Sequence, residues 1–156
     1  MATLNVTLQE SVILNGCEYG SINTAAVTGV GNAFKRNVTC VFGTVTALAT
    51  FASNPEAGES SIPFLDTENV LYIRVTNLDS SNTIELAVVG TTTLYQVTLA
   101  AGHSHILSDC DDVMLAEEDT SPSFGTMLDL VSVQGKPIGT ADTDDNVDVE
   151  IFIAIR

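Results

Sequence analysis

Residues Val70 to Leu107 read VLYIRVTNLDSSNTIELAVVGTTTLYQVTLAAGHSHIL, and the periodicity of this stretch decides the fold class. Leu71, Ile73 and Val75 alternate with Tyr72, Arg74 and Thr76, giving one apolar and one amphipathic face. A period of two is that of a half-buried strand. Leu78 to Asn82 then supplies Asp, Ser and Asn, whose side chains bond their own backbone where a chain reverses. Ile84, Leu86 and Val88 next alternate with Thr83, Glu85 and Ala87 until Gly90 breaks the run. A third row, Tyr95, Val97 and Leu99, leads to Ala101-Gly102, where the chain turns into Ile106-Leu107. Strand following strand across short polar turns predicts a β-meander.

The same alternation extends outward in both directions. Towards the C-terminus, Val147, Val149, Ile151, Ile153 and Ile155 alternate with Asp148, Glu150, Phe152 and Ala154, the clearest run in the chain. Towards the N-terminus, residues 3–14 alternate through Leu4, Val6, Leu8, Val12 and Leu14, and Asn15-Gly16 is a hairpin-turn signal. Ser21 to Val30 is a strand candidate. Between Ala33 and Phe42 the row Phe34, Val38, Cys40, Phe42 is interrupted by Arg36, which places Arg36 near a strand end. Thr44 to Phe51 is read as a strand in this context, Val113 to Ala116 as a short one, and Met127 to Val133 as weakly alternating. Ala52 to Asn69, Glu117 to Gly125 and Gln134 to Asn146 carry the Pro, Gly and polar residues of connections. Roughly eight to ten short strands with no amphipathic helix predict an all-β protein, an antiparallel β-sandwich or jelly roll, in a single domain over residues 1–156.

Composition bounds the function. In 156 residues, 45% hydrophobic content provides a core, and a domain of this size buries roughly 70% of its unfolded surface. Twenty acidic residues against five basic ones give a net charge of −15. Such a chain repels phosphate backbones and anionic lipid, so neither nucleic acid nor a membrane is expected as partner. The charge favours solubility, cation association, or docking to a basic surface on another protein. Met1 to Asn5 shows no targeting segment, and no run approaches the ~18 apolar residues of a membrane span. Three cysteines (Cys17, Cys40, Cys110) cannot all pair within one chain, so free buried thiols are expected.

Two segments have metal-ligand character. His103 and His105, two apart, would share a strand face, with Asp109 to Asp112 following, but no third ligand stands at a diagnostic spacing. Asp142, Asp144 and Asp148 fall in a run with oxygen ligands at alternating positions, yet the run lacks the glycine and glutamate that shape a helix–loop–helix calcium site. The expectation is therefore no metal and no cofactor, with these five residues the candidates if one binds. The sequence holds no nucleophile elbow, phosphate-cradling glycine loop or His-Glu-x-x-His. Carboxylates beside Cys110 disfavour its thiolate. No enzyme is expected.

Four segments carry a resemblance: MATLNVTLQESVILNG at the start, YIRVTNLDSSNTIEL and LAAGHSHIL in the centre, and NVDVEIFIAIR at the end. Together they resemble small virion structural proteins of tailed bacteriophages, of the marine and cyanophage type, and the centre is similar to a module of capsid decoration proteins. The resemblance implies a decoration or cement protein on the outer surface of the major capsid protein lattice. It would be made in the host cytoplasm and assemble as a homo-oligomer, by analogy a trimer. No functional residue carries over. A tail, fibre or head-vertex adaptor is the alternative, and a metal-dependent carbohydrate-binding module using His103, His105 or the Asp142–Asp148 run is a second. The first eight or so residues, an extended alternating segment, are expected to pair with another sheet.

Overall fold

A computed structural model describes residues 1–52, 65–92, 94–108, 128–139 and 145–156. Asn15 and Gly16 both take positive φ, 53° and 79°, as a type I′ turn requires, and the twist of that turn matches the twist of the strands it joins. A single long hairpin grows from this turn. The short strands β2 (Ile13–Leu14) and β3 (Cys17–Glu18) flank it, and β1 (Ala2–Gln9) and β4 (Ile22–Val30) continue it. One offset holds from Leu14 opposite Cys17 to Thr3 opposite Thr28. Glu10 N–H donating to Ser21 O and Tyr19 N–H donating to Val12 O carry the ladder between the two pairs. At ~3.3 Å per residue this arm is roughly 40 Å long.

The remaining strands form a sandwich. One sheet has the order β5 (Asn32–Cys40), β13 (Val147–Ile155), β8 (Val70–Asn77), β11 (Ser104–Ser108). The other has the order β7 (Leu65–Asp66), β6 (Thr46–Ala52), β12 (Leu130–Ile138), β9 (Thr83–Gly90), β10 (Leu94–Leu99). All pairs are antiparallel except the short one between β6 and β7. Four pairs are nested: β9 with β10, β8 with β11, β6 with β12, β5 with β13. From β5 to β13 these nested pairs follow one another outward from the β9–β10 hairpin, and alternate pairs fall in opposite sheets.

The inward rows are those the alternation selects. Ile73 and Val75 of β8, Ile84, Leu86 and Val88 of β9, and Val147, Val149, Ile151 and Ile153 of β13 are fully buried, with Leu48 and Val133 between them. Each such side chain contributes about 1.5–3 kcal/mol of burial. Gly135 faces this core: a Cβ there would stand 2.8 Å from Ile84 Cδ1 and 3.3 Å from Cys40 Sγ, so the layer closes over a bare backbone.

Several expectations change. The central stretch is not a meander: β9 pairs β10, but β8 and β11 lie in the other sheet, so the chain crosses between sheets at the turns before β9 and after β10. Strand spacing alone gives no sign of whether successive strands pair or cross. β12 runs to Ile138, into a segment read as a connection. Pro137 is tolerated because pairing with β6 ends at Gly135, so on that side its missing N–H has no carbonyl to meet. Arg36 lies in the middle of β5, not at its end. The first residues pair within their own chain, with β4. Cys40 is buried, and burial pushes its thiol up, whereas Cys17 is exposed at the arm tip. Val113–Ala116, Cys110, Asp142 and Asp144 lie outside the described residues.

Candidate interaction surface

On an antiparallel ribbon, paired residues share a face. Leu4 with Val27, Val6 with Ala25, Leu8 with Asn23 and Leu14 with Cys17 therefore line one side of the arm, and Val12 with Tyr19 continues the row. The other side carries Thr3, Thr7, Thr24 and Thr28, with Thr7 and Thr24 hydroxyls 3.3 Å apart, and towards the tip the exposed Ile13 and Ile22. The apolar side is in two halves. Leu4, Val6 and Val27 at the base are half-buried, while Leu8, Val12, Leu14 and Tyr19 towards the tip are exposed, Tyr19 at 65% of its full area. Between them Glu10 accepts a hydrogen bond from Ser21 Oγ at 3.0 Å.

The arm's base stands over the outer face of the four-stranded sheet and leaves a groove of about 560 Å³. Leu4 to Leu8 form one wall; Lys35, Tyr72, Arg74, Ser104, Ile106 and Phe152 form the floor and far side. Register explains the cluster: Phe152 of β13 stands opposite Arg74 of β8 and Lys35 of β5, and Ile106 of β11 stands opposite Arg74 on its other side. The Tyr72 and Phe152 rings meet edge-on, 6.2 Å between centroids, and the Arg74 guanidinium lies 5.8 Å over Phe152. Both cations converge on Glu150: Lys35 Nζ is 2.7 Å from Oε2, and Arg74 donates to Oε1. The hydrogen bond from Lys35, with Arg74 beside it, holds the Glu150 carboxyl below its ordinary range. One carboxylate facing two cations leaves the groove locally positive in a chain of net charge −15.

The histidines do not converge. β11 begins at Ser104, so His103 sits in the preceding turn, exposed, where its backbone N–H donates to Ala100 O and its carbonyl accepts from Asn77 N–H. His105 lies on the face of β11 opposite to the groove. There its Nε2 is 3.0 Å from Tyr95 Oη of β10, and the two rings meet edge-on across the gap between the sheets. Burial lowers the His105 pKa. Asp148 accepts a hydrogen bond from Thr39 Oγ1 and lines a second groove, of about 430 Å³, with Asp79, Asn37 and Ser80. Backbone N–H groups of Asn82 and Ser81 hold Asp79 below the usual carboxylate range. Among the described residues no group of three or more His, Cys, Asp or Glu is placed to hold a metal ion.

The arm and its groove went unread in the sequence, although a signal was present. Asn15-Gly16 between two alternating runs predicts a hairpin, and a constant offset counted outward from that turn pairs residues 2–9 with 22–30. The convergence of Lys35, Arg74 and Glu150 had no such signal, because it depends on which strands become neighbours across 76 residues or more. No protein-family model matches the chain, and no curated protein matches it.

Proposed function

We propose that this chain is a virion structural protein of a tailed bacteriophage, a decoration protein that adheres to the outer surface of the major capsid protein lattice as a homo-oligomer. The observation that carries the reading is the arm: a two-stranded ribbon whose apolar face runs past the body that supports it and stays uncovered at the tip. Exposed apolar surface of this extent is costly to a protein that works alone and belongs to one that works in contact with others. The nested strand pairs close into a two-sheet sandwich, an architecture suited to a building block. The resemblance of the opening, central and closing segments to phage virion proteins supplies the biological setting. Acidic character suits a capsid exterior, away from packaged DNA. On this reading the protein performs no reaction and needs no cofactor.

Adding the purified chain to undecorated phage capsids tests the reading. Saturable binding at hundreds of copies per particle is the expected result. Saturation at a few dozen copies or fewer would assign the chain to a tail, fibre or vertex position, where the same arm would serve as an adaptor. Failure to bind any virion component would remove the virion reading.

A further inference from the structure

We propose that the arm tip of one copy seats in the groove of a second copy, so that subunits are joined by exchanged arms. This deepens the self-association part of the function proposed above and names the surfaces that carry it. The base half of the arm's apolar face already packs over the outer sheet face of its own chain, so the tip half, built on the same alternation, is left with the same chemistry and no surface to cover. It cannot use its own groove. Leu4 to Leu8 form that groove's wall, and the ladder holds Leu14 roughly 25 Å beyond Val6 at ~3.3 Å per residue.

Charge complementarity selects a second copy as the occupant. Residues 1–34 contain Glu10 and Glu18 and no Lys or Arg, and Glu10 lies on the apolar side of the arm. The groove holds two of the five basic residues in the chain, Lys35 and Arg74, against the single carboxylate of Glu150. Area agrees. Leu8, Val12, Leu14 and Tyr19, all about half exposed or more, present on the order of 400 Å². A reciprocal exchange, counting two arms and the smaller lining of two grooves, buries on the order of 1,000 Å², the lower end of the range for specific interfaces. Tyr19 and Leu14 at the tip are the expected anchors, entering beside Phe152 and Ile106 of the second copy.

Sedimentation velocity of the full chain at about 150 mM salt, with the double variant Leu14→Ser/Tyr19→Ser beside it, tests the proposal. The wild type is expected to be oligomeric, and the double variant to associate roughly 100-fold more weakly with its thermal midpoint within about 2 °C. Tyr19→Phe is expected to associate as the wild type does. A photoreactive residue in place of Leu14, mixed with isotope-labelled chain, should crosslink to the labelled copy at residues 70–76, 104–108 or 150–154. A wild type that stays monomeric up to ~100 μM, an oligomer indifferent to the double variant, or crosslinks mapping elsewhere would each overturn it. Capsid binding is read separately: arm-exchanged oligomers that fail to bind any particle would sink the decoration reading and leave this inference standing.

Discussion

Asn77 is a buried polar residue with every group occupied. Its Nδ2 donates to Asn82 O at 2.8 Å and Leu99 O at 3.1 Å, and its Oδ1 accepts from Asp79 N–H at 2.9 Å. Its backbone N–H donates to His103 O and its carbonyl accepts from Gly102 N–H. One side chain thus ties the end of β8 to the turns on either side of the β9–β10 hairpin. Asn77→Ala leaves the buried Leu99 carbonyl, and the part-buried Asn82 carbonyl and Asp79 N–H, short of a partner, and should cost about 1–3 kcal/mol, read as a shift of the urea midpoint. In the acid range titration also acts on stability at His105 and, alongside Asp79, at Glu150. Burial lowers His105 from its ordinary 6.5, so the unfolded chain takes up this proton at higher pH than the folded one. The contribution of His105 is complete above pH 6.5 and is lost as pH falls from there through the lowered folded value. Glu150, held below its ordinary 4.5 by Lys35 and Arg74, contributes above that pH and loses its contribution as pH falls through its own lowered value. The thermal midpoint should therefore fall in two acid windows, and His105→Gln should flatten the upper one while leaving the lower. An unaltered upper window would remove His105 as its cause.

At the scale of elements, the edges of the sandwich are held by polar reach across the gap between the sheets. Arg36, in mid-strand on β5, sends its guanidinium to the carbonyl oxygens of Ala47 and Leu48 on β6, with its charge 5.8 Å from the Phe34 ring. At the opposite edge His105 and Tyr95 meet in the same way. Arg36→Ala removes charge-assisted bonds to two carbonyls and should cost about 1–2 kcal/mol, with hydrogen exchange accelerating first in β5 and β6. Arg36 also marks where the sequence stops being legible. Its interruption of the Phe34, Val38, Cys40 row suggested a strand end, because an inward cation is costly unless paired, and its partners belong to a strand that alternation alone cannot place. The strands themselves were legible wherever one face is buried: β8, β9, β10 and β13 fall on the predicted rows, since burial against a second sheet forces a period of two. Their pairing was not. Antiparallel neighbours here are separated by up to most of the chain length, as Cys40 opposite Val147 is. The two histidines are kept apart for a related reason. A shared face for His103 and His105 presumed both were within the strand, and β11 starts between them.

Across the whole molecule, charge and shape pull association in opposite directions. Glu10 facing Lys35 and Arg74 orients one copy on another, but a local pairing of this kind sets register more than affinity. The excess of acidic residues acts on every approach. Two bodies of charge −15 whose centres stand ~30 Å apart repel by tens of kcal/mol in unscreened water, a point-charge upper bound. At an ionic strength of ~0.01 M the Debye length is about 30 Å and roughly 10 kcal/mol of that repulsion survives; at ~0.15 M, with a length near 8 Å, it falls to roughly 1 kcal/mol or less. The apolar contact of exchanged arms therefore overcomes repulsion only when salt is present. Lowering ionic strength from ~0.15 to ~0.01 M should dissociate the copies while the circular dichroism of the β-body stays the same, and sedimentation across that range measures it directly. Association that tightened as salt was withdrawn would mean that attraction between opposite local charges governs the contact, and the apolar tip would lose its place as the anchor.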